Sequence, residues 1–341
     1  MKKTPILLFL AVLLLSGCAD KNGFKKVDVS KQTSNIVCQR FEQDFFKLNA
    51  ANFSDEESKL IQKYGRFYDD YIGLIMGFPK IAKDSSALNS VIIEFIENKA
   101  IKGLYDSVQY YYPTLEEIKK ELDEANKHYQ YYFPEKKITR LYTMISEFSY
   151  GAMTYNDSTL VVGLDMFLGP QYPFYESFDI PKFITRKLSK EYITRNCMEV
   201  IYNLHFNKVN DMEPIPLVEA MINEGKKMYF LECMMPAKND SIIVGYTNTQ
   251  IKWCESSERQ IWQYFNEKDL LYSTNFMEQK RYTTDGPSTS GMPAESPGKV
   301  GAWLGWQIVR KYMKDANGKI SLNQLLHTPN KTIIAKAKYK P

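Results

Sequence analysis

Histidine is almost missing from this chain: among 341 residues only His128, His205 and His327 occur. A three-imidazole metal site would consume all of them, from positions far apart in sequence. There is no Gly-x-Ser-x-Gly elbow, no P-loop, no dinucleotide glycine pattern and no calcium loop, so no common nucleophile or phosphate cradle is encoded as a motif. Charge of one sign is also lacking. Lys plus Arg number 44 against 40 Asp plus Glu, a formal charge of +4, and the basic residues form no stripe. That excludes nucleic acid as an expected partner. Cysteine is sparse, at five residues. Cys38, Cys197, Cys233 and Cys254 permit three full pairings, match no metal knuckle and predict no particular disulfide. No internal repeat is present, and no cofactor is expected.

What is present begins at the N-terminus. Lys2 and Lys3 precede an uninterrupted apolar run, Pro5 to Leu15, long enough for the hydrophobic region of an export signal and too short to span a bilayer as a helix. Leu15-Ser16-Gly17-Cys18 closes it and resembles the lipobox of bacterial lipoproteins. That resemblance implies cleavage before Cys18 and acylation of Cys18 with palmitate-like chains, at roughly 0.8 kcal/mol per buried methylene. Residues 1–17 are thus the expected signal. Their removal takes away two lysines and no acid, which lowers the formal charge from +4 to +2. Residues 18–35 are polar and read as a flexible tether.

Helical spacing of apolar residues predicts helices over 40–48, 56–76, 90–108 and 114–129, so that 36–130 reads as a helical region. Thr114 and Glu117 stand in capping-box spacing. Tyr110-Tyr111-Tyr112-Pro113 and Tyr131-Tyr132-Phe133-Pro134 bracket the last of these helices, as packing aromatics or as a stacking platform for sugars. Residues 131–341 read as an α+β region packed with the first as one body. Segments 137–148 and 158–165, rich in Ile, Val, Leu and Thr, predict two adjacent strands separated by Gly151 and Asn156-Asp157. Helices follow over 188–207, 217–235, 256–265 (with a capping pattern at Ser256 and Arg259) and 300–313, the last stopped near Asn317-Gly318. The loop 282–299 precedes the last helix. Gly301 and Gly305, one turn apart in it, predict close approach of another backbone, in internal packing or in a partner groove. The expected fold class is α+β, predominantly helical, with a small sheet.

One constellation resembles a zinc-peptidase helix. Such enzymes place two His four residues apart with Glu beside the first. Here the equivalent stretch reads Met198-Glu199-Val200-Ile201-Tyr202, followed later by Asn223-Glu224-Gly225, where glutamate zincins carry a third ligand. The carboxylate is retained and both imidazoles are replaced, and neither Met nor Tyr is a good zinc ligand. Met198, Glu199, Tyr202 and Glu224 are therefore candidates for a vestigial metal site in a degenerate zincin-like body. His205, one turn beyond Tyr202, is a further possible base or ligand.

Longer strings are more specific. Residues 142–151 with Val161-Val162-Gly163-Leu164-Asp165-Met166-Phe167-Leu168-Gly169, then Gly225-Lys226-Lys227-Met228-Tyr229-Phe230, resemble the gliding-motility lipoprotein GldB family. So do Ile243-Val244-Gly245-Tyr246-Thr247, residues 250–258 with Ile261-Trp262, the stretch Ser296-Pro297-Gly298-Lys299 through Val309, and the end at residues 336–341. The resemblance implies a lipid-anchored envelope protein, outer-membrane and periplasm-facing, associated with gliding and its secretion machinery. It implies no reaction. Together with the replaced histidines it leads to the expectation of a pseudoenzyme that binds or stabilises envelope protein partners. The alternatives are an envelope zinc-dependent peptidase or other hydrolase, and peptidoglycan or glycan binding through Tyr111 and Tyr131.

Overall fold

Two buried strands with apolar side chains on both faces organise the molecule. In the computed structural model, which describes residues 26–78, 85–207 and 214–341, these are β2 (Arg140–Met144) and β4 (Thr159–Gly163). They pair in parallel, Arg140 opposite Thr159 and Met144 opposite Gly163. Strands covered on both sides read as continuous apolar runs, which is why both segments are visible in the sequence. Two further strands complete the sheet: β1 (Val37–Arg40) lies parallel to β2, and β3 (Ala152–Asn156) lies antiparallel to β4. The order is β1-β2-β4-β3, so the chain is mostly helical with a small four-stranded mixed sheet. The short edge strands β1 and β3 were not expected. Each is four or five residues long and flanked by turn or helix signals, too little pattern to stand out. The expected signal at 1–17 and the expected acylation site Cys18 lie outside the described residues.

Each face of the sheet carries its own core. On one face, Phe41, Phe45, Phe67 and Tyr71 gather around one another and reach Tyr142, Met144 and Val161. Phe41 meets Tyr64, Phe67 and Tyr71 edge-on, with centroids 4.9, 5.1 and 4.6 Å apart. These rings come from α1 (Phe41–Phe45), α2 (Phe53–Tyr64) and α3 (Arg66–Asp70), the last continued by a wide turn at Tyr71–Ile75. The single helix expected over 56–76 is thus divided at Gly65, whose φ of +57° suits glycine. The helix expected over 90–108 is likewise two, α4 (Ser85–Glu97) and α5 (Lys99–Tyr111), because the Asn98 side chain accepts from the Ala100 and Ile101 amides and starts a new helix.

Helix α6 (Glu116–Tyr132) starts one residue after Leu115, which makes no side-chain cap, so the Thr114 and Glu117 capping box does not form. The last part of the expected tether packs against α6. Ser34 Oγ and the Ile36 amide donate to Asp123 at 2.6 and 2.9 Å, and Val29 is buried.

Below the other face, after two short helices α7 (Pro173–Ser177) and α8 (Lys182–Thr185), come α9 (Ile193–His205) and α10 (Leu217–Met234). They are followed by α11 (Asp240–Val244), α12 (Asn248–Glu267), α13 (Phe276–Thr283), α14 (Val300–Ala316), α15 (Leu322–His327) and α16 (Asn330–Ala337). Helix α12 begins at a Thr247–Gln250 capping box, not at Ser256, which lies mid-helix. The Thr247–Gln250 box is hard to recognise because a more familiar pattern, Ser256 and Arg259 flanked by Glu255 and Glu258, lies downstream. Asn317 ends α14 in the left-handed conformation, as expected. The glycines of α14 serve internal packing. Gly305 crosses the backbone of Met221, and Gly225 of α10 faces Gly305 in turn.

A strained turn follows β2. Glu147 and Phe148 have φ of 49° and 62°, unusual for side-chain-bearing residues. The carboxylate of Asp165 holds them there, accepting from the Ser146 amide at 3.1 Å and the Phe148 amide at 2.6 Å. Burial raises the Asp165 pKa to about 6, against the lowering effect of those amides. Because the folded-state pKa lies above the ordinary value, this group's contribution to stability is complete below about pH 4 and is lost as pH rises through 6. Asp165→Asn is expected to remove that loss, roughly 3 kcal/mol between pH 4 and 7. Urea titrations of both proteins across this range check it.

Candidate functional site

The amphipathic character of α9 points one set of side chains inward and another into a cavity. Ile193, Cys197, Met198, Ile201 and Tyr202 are buried, whereas Arg195, Asn196 and Glu199 line the open side. Helix α10 contributes Glu224, Lys227 and Met228, and the segment after α13 contributes Asp285. Lys299, at the N-cap of α14, adds the last charge. Gly298 makes this placement possible. A Cβ there would stand 2.4 Å from the Gly286 backbone, so the two ends of the 286–298 loop touch and bring Lys299 beside Asp285. The resulting cavity measures about 530 Å³. One side is apolar, with Met166, Phe167, Leu188 and Met228.

The charged groups interlock. Arg195 donates to Glu199, Lys227 lies 3.3 Å from Glu199 and 2.7 Å from Glu224, and Asp285 accepts from Lys187 at 2.6 Å and Lys299 at 3.0 Å. Burial alone would raise the Glu199 carboxyl, but Arg195, Lys227 and Lys299 outweigh it and hold Glu199 well below the usual carboxylate range. Burial also raises and is also overcome at Asp285, which Lys299 and Lys187 lower to about 2. For Lys299 burial wins: its pKa falls to about 8, with Arg195 and Lys187 pushing the same way and Asp285 opposing.

Of the four residues singled out in the sequence, the structure brings two together. Glu199 and Glu224 share the cavity and are bridged by Lys227. Met198 is fully buried in the core. Tyr202 lines a separate cavity of about 230 Å³ with Asn223, Lys226 and Asn330. His205 Nδ1 meets Lys136 Nζ at 3.1 Å, and burial together with Lys136 lowers its pKa, favouring the neutral ring. His128 and His327 each bond a carbonyl one turn back in their own helices. Among the described residues no three His, Cys, Asp or Glu come together in a group able to hold a metal. The tyrosine clusters form no shared platform. Tyr111, half exposed, ends α5 and packs with Tyr110 and Tyr172, Tyr131, also half exposed, lies in the last turn of α6 against Tyr132, and Tyr112 and Phe133 are buried.

Sequence reasoning missed the cations Lys187, Arg195, Lys227 and Lys299 and the acid Asp285. A usable signal existed for two of them: Arg195 stands four residues before Glu199 and Lys227 three after Glu224, both in ion-pair spacing on helices otherwise rich in apolar residues. Lys187, Asp285 and Lys299 are joined only by the fold. Cys38, Cys197, Cys233 and Cys254 are all free thiols. No described helix is long and apolar enough to cross a membrane.

The family model described as "Gliding motility protein GldB" matches residues 22–341, and the chain belongs to that family. No curated protein and no solved structure matches it.

Proposed function

From membership in the GldB lipoprotein family, and the role in gliding motility that membership implies, we propose that the protein acts without catalysis. It is a cell-envelope lipoprotein held at the outer membrane through Cys18, facing the periplasm, and it binds or stabilises protein partners of gliding and the associated secretion machinery. In this reading 36–130 is a helical region and 131–341 a zincin-like body that has kept the helix pair and lost its metal.

The observation that carries the proposal is the state of Glu199. A general base works best with a pKa near the operating pH. Glu199 is instead clamped by Arg195 and Lys227 and held strongly acidic. A divalent cation fits the donors poorly. The two carboxylates here are already engaged by Arg195 and Lys227, and Met198 and Tyr202 point elsewhere. No step through zinc is therefore derived.

The test uses a gliding host lacking its own copy. The intact gene is expected to restore spreading, and Cys18→Ala to fail at equal protein abundance. Purified lipoprotein supplied with zinc and a mixed peptide pool is expected to release no new termini. Zinc-dependent cleavage would overturn the non-catalytic reading, and full rescue by Cys18→Ala would overturn the anchor.

A further inference from the structure

We propose that the cavity between α9, α10 and the entry to α14 binds a carboxylate carried on an apolar group. The inference rests on reading the cavity as a binding site and not a reaction centre. Four cations, Lys187, Arg195, Lys227 and Lys299, face three carboxylates, Glu199, Glu224 and Asp285. One positive charge is left over. Asp285 is shared by two lysines, so the surplus lies at the Lys299 end.

Arg195 also has capacity to spare. Its Nε donates to the Ile243 carbonyl at 3.1 Å and Nη1 to Glu199, and among the described residues nothing bonds Nη2. A guanidinium edge beside an ammonium is suited to a single carboxylate. Phosphate esters suit the site less well, because a dianion overshoots the surplus and meets three carboxylates.

Lys299 is expensive to keep where it is. Its side chain is only 8% exposed, its backbone has a φ of 51°, and its charged form is disfavoured by burial and by Arg195. Burial and backbone conformation both work against stability, and the ion pair with Asp285, which Lys187 already neutralises, offsets that cost only in part; ligand binding supplies the rest. The wall formed by Met166, Phe167, Leu188 and Met228 then receives the apolar part, and a volume of about 530 Å³ lies within the usual range for small ligands.

The carboxylate has two sources, the C-terminus of a peptide or a free organic acid. Isothermal titration of the full-length lipoprotein in non-ionic detergent distinguishes them, with three probes: 4-phenylbutyrate, a pentapeptide ending in Leu-Phe with a free carboxylate, and the same pentapeptide as its amide. One saturable site is expected for at least one free carboxylate and none for the amide. Tighter binding of the free-acid peptide than of 4-phenylbutyrate assigns the site to chain termini, and the reverse order to small acids. Lys299→Met should weaken binding at least tenfold. Asp285→Asn, which enlarges the surplus, should tighten it, and this gain keeps the proposal testable if Lys299→Met fails to fold. No saturable binding of either carboxylate, equal binding of the amide, or unchanged affinity in folded Lys299→Met would overturn it. Recovery of the peptide after titration separates the two readings: a cleaved peptide defeats the non-catalytic function, whereas an intact peptide with neither free carboxylate bound defeats the carboxylate site alone.

Discussion

Alanine at position 305 is expected to destabilise the protein by about 3 kcal/mol or more, the upper end of what overpacking a closed interior costs. The new Cβ would stand 1.8 Å from the Met221 carbonyl oxygen, and 2.3 Å from its carbon. Nothing there can rotate away, because the obstacle is backbone inside α10. Either the two helices separate, giving up burial of Trp303, Trp306 and Met221, or the chain stays unfolded. Gly225→Ala should behave similarly, since its Cβ meets the Gly305 carbonyl at 2.4 Å. Gly103 supplies the control. It lies in α5 with nothing within 4 Å of an added Cβ, so Gly103→Ala should be neutral or stabilise by up to about 1 kcal/mol. Chemical denaturation of the three variants measures all of this; wild-type stability in Gly305→Ala would mean the helices do not cross at contact distance.

The second large effect is expected at Arg310. Its guanidinium bridges Glu232 and Asp240 through four contacts of 2.8 to 3.0 Å and lies over the Trp306 ring at 3.6 Å. Glu232 accepts in addition from Trp306 Nε1 at 2.9 Å. Arg310→Met would leave the buried Glu232 with the indole as its remaining listener in the core, a loss on the order of 3–5 kcal/mol. The cost is chiefly that of the stranded carboxylate. Adding Glu232→Gln should therefore recover part of it, because a neutral amide can still accept from Trp306. Equal stability of the single and double variants would show instead that the packing of Arg310 over Trp306 carries the effect.

Much of this architecture is visible in the amino-acid order, for physical reasons that also set the limits. The doubly buried β2 and β4 and the long helices α9, α10 and α14 have pattern enough to be read. Close approach of another backbone can be anticipated where a single atom decides the matter, as for Gly301 and Gly305, but that α10 is the helix approached is a property of the fold. Helix boundaries are less legible. Asn98 and Thr247 start helices through side-chain hydrogen bonds that compete with equally plausible signals nearby. Strands β1 and β3 owe their existence to pairing with neighbours and not to their own composition.

The site shows the same division. The acids of α9 and α10 are legible because they sit where a familiar helix motif would have them. Their surroundings changed what they mean. Glu199 and Glu224 do meet, but as a pair bridged by Lys227, in a cavity shared with a second ion-pair set in which Asp285 joins the distant Lys187 and Lys299. No local spacing rule reaches that far, and charge balance within a cavity is a property of the fold.

The placement of β1 bears on how the chain emerges during synthesis. Val37 pairs with Arg140, and the aromatic rings of α1 and α3 rest on Tyr142 and Val161. A polypeptide made N-terminus first has thus released Phe41, Phe45 and Phe67 long before their platform leaves the ribosome. Pairings between distant segments form slowly, and apolar surface left waiting invites aggregation. This chain should accordingly need its early aromatic segment held apart from other chains, by a chaperone or by dilution, until residue 163 has emerged.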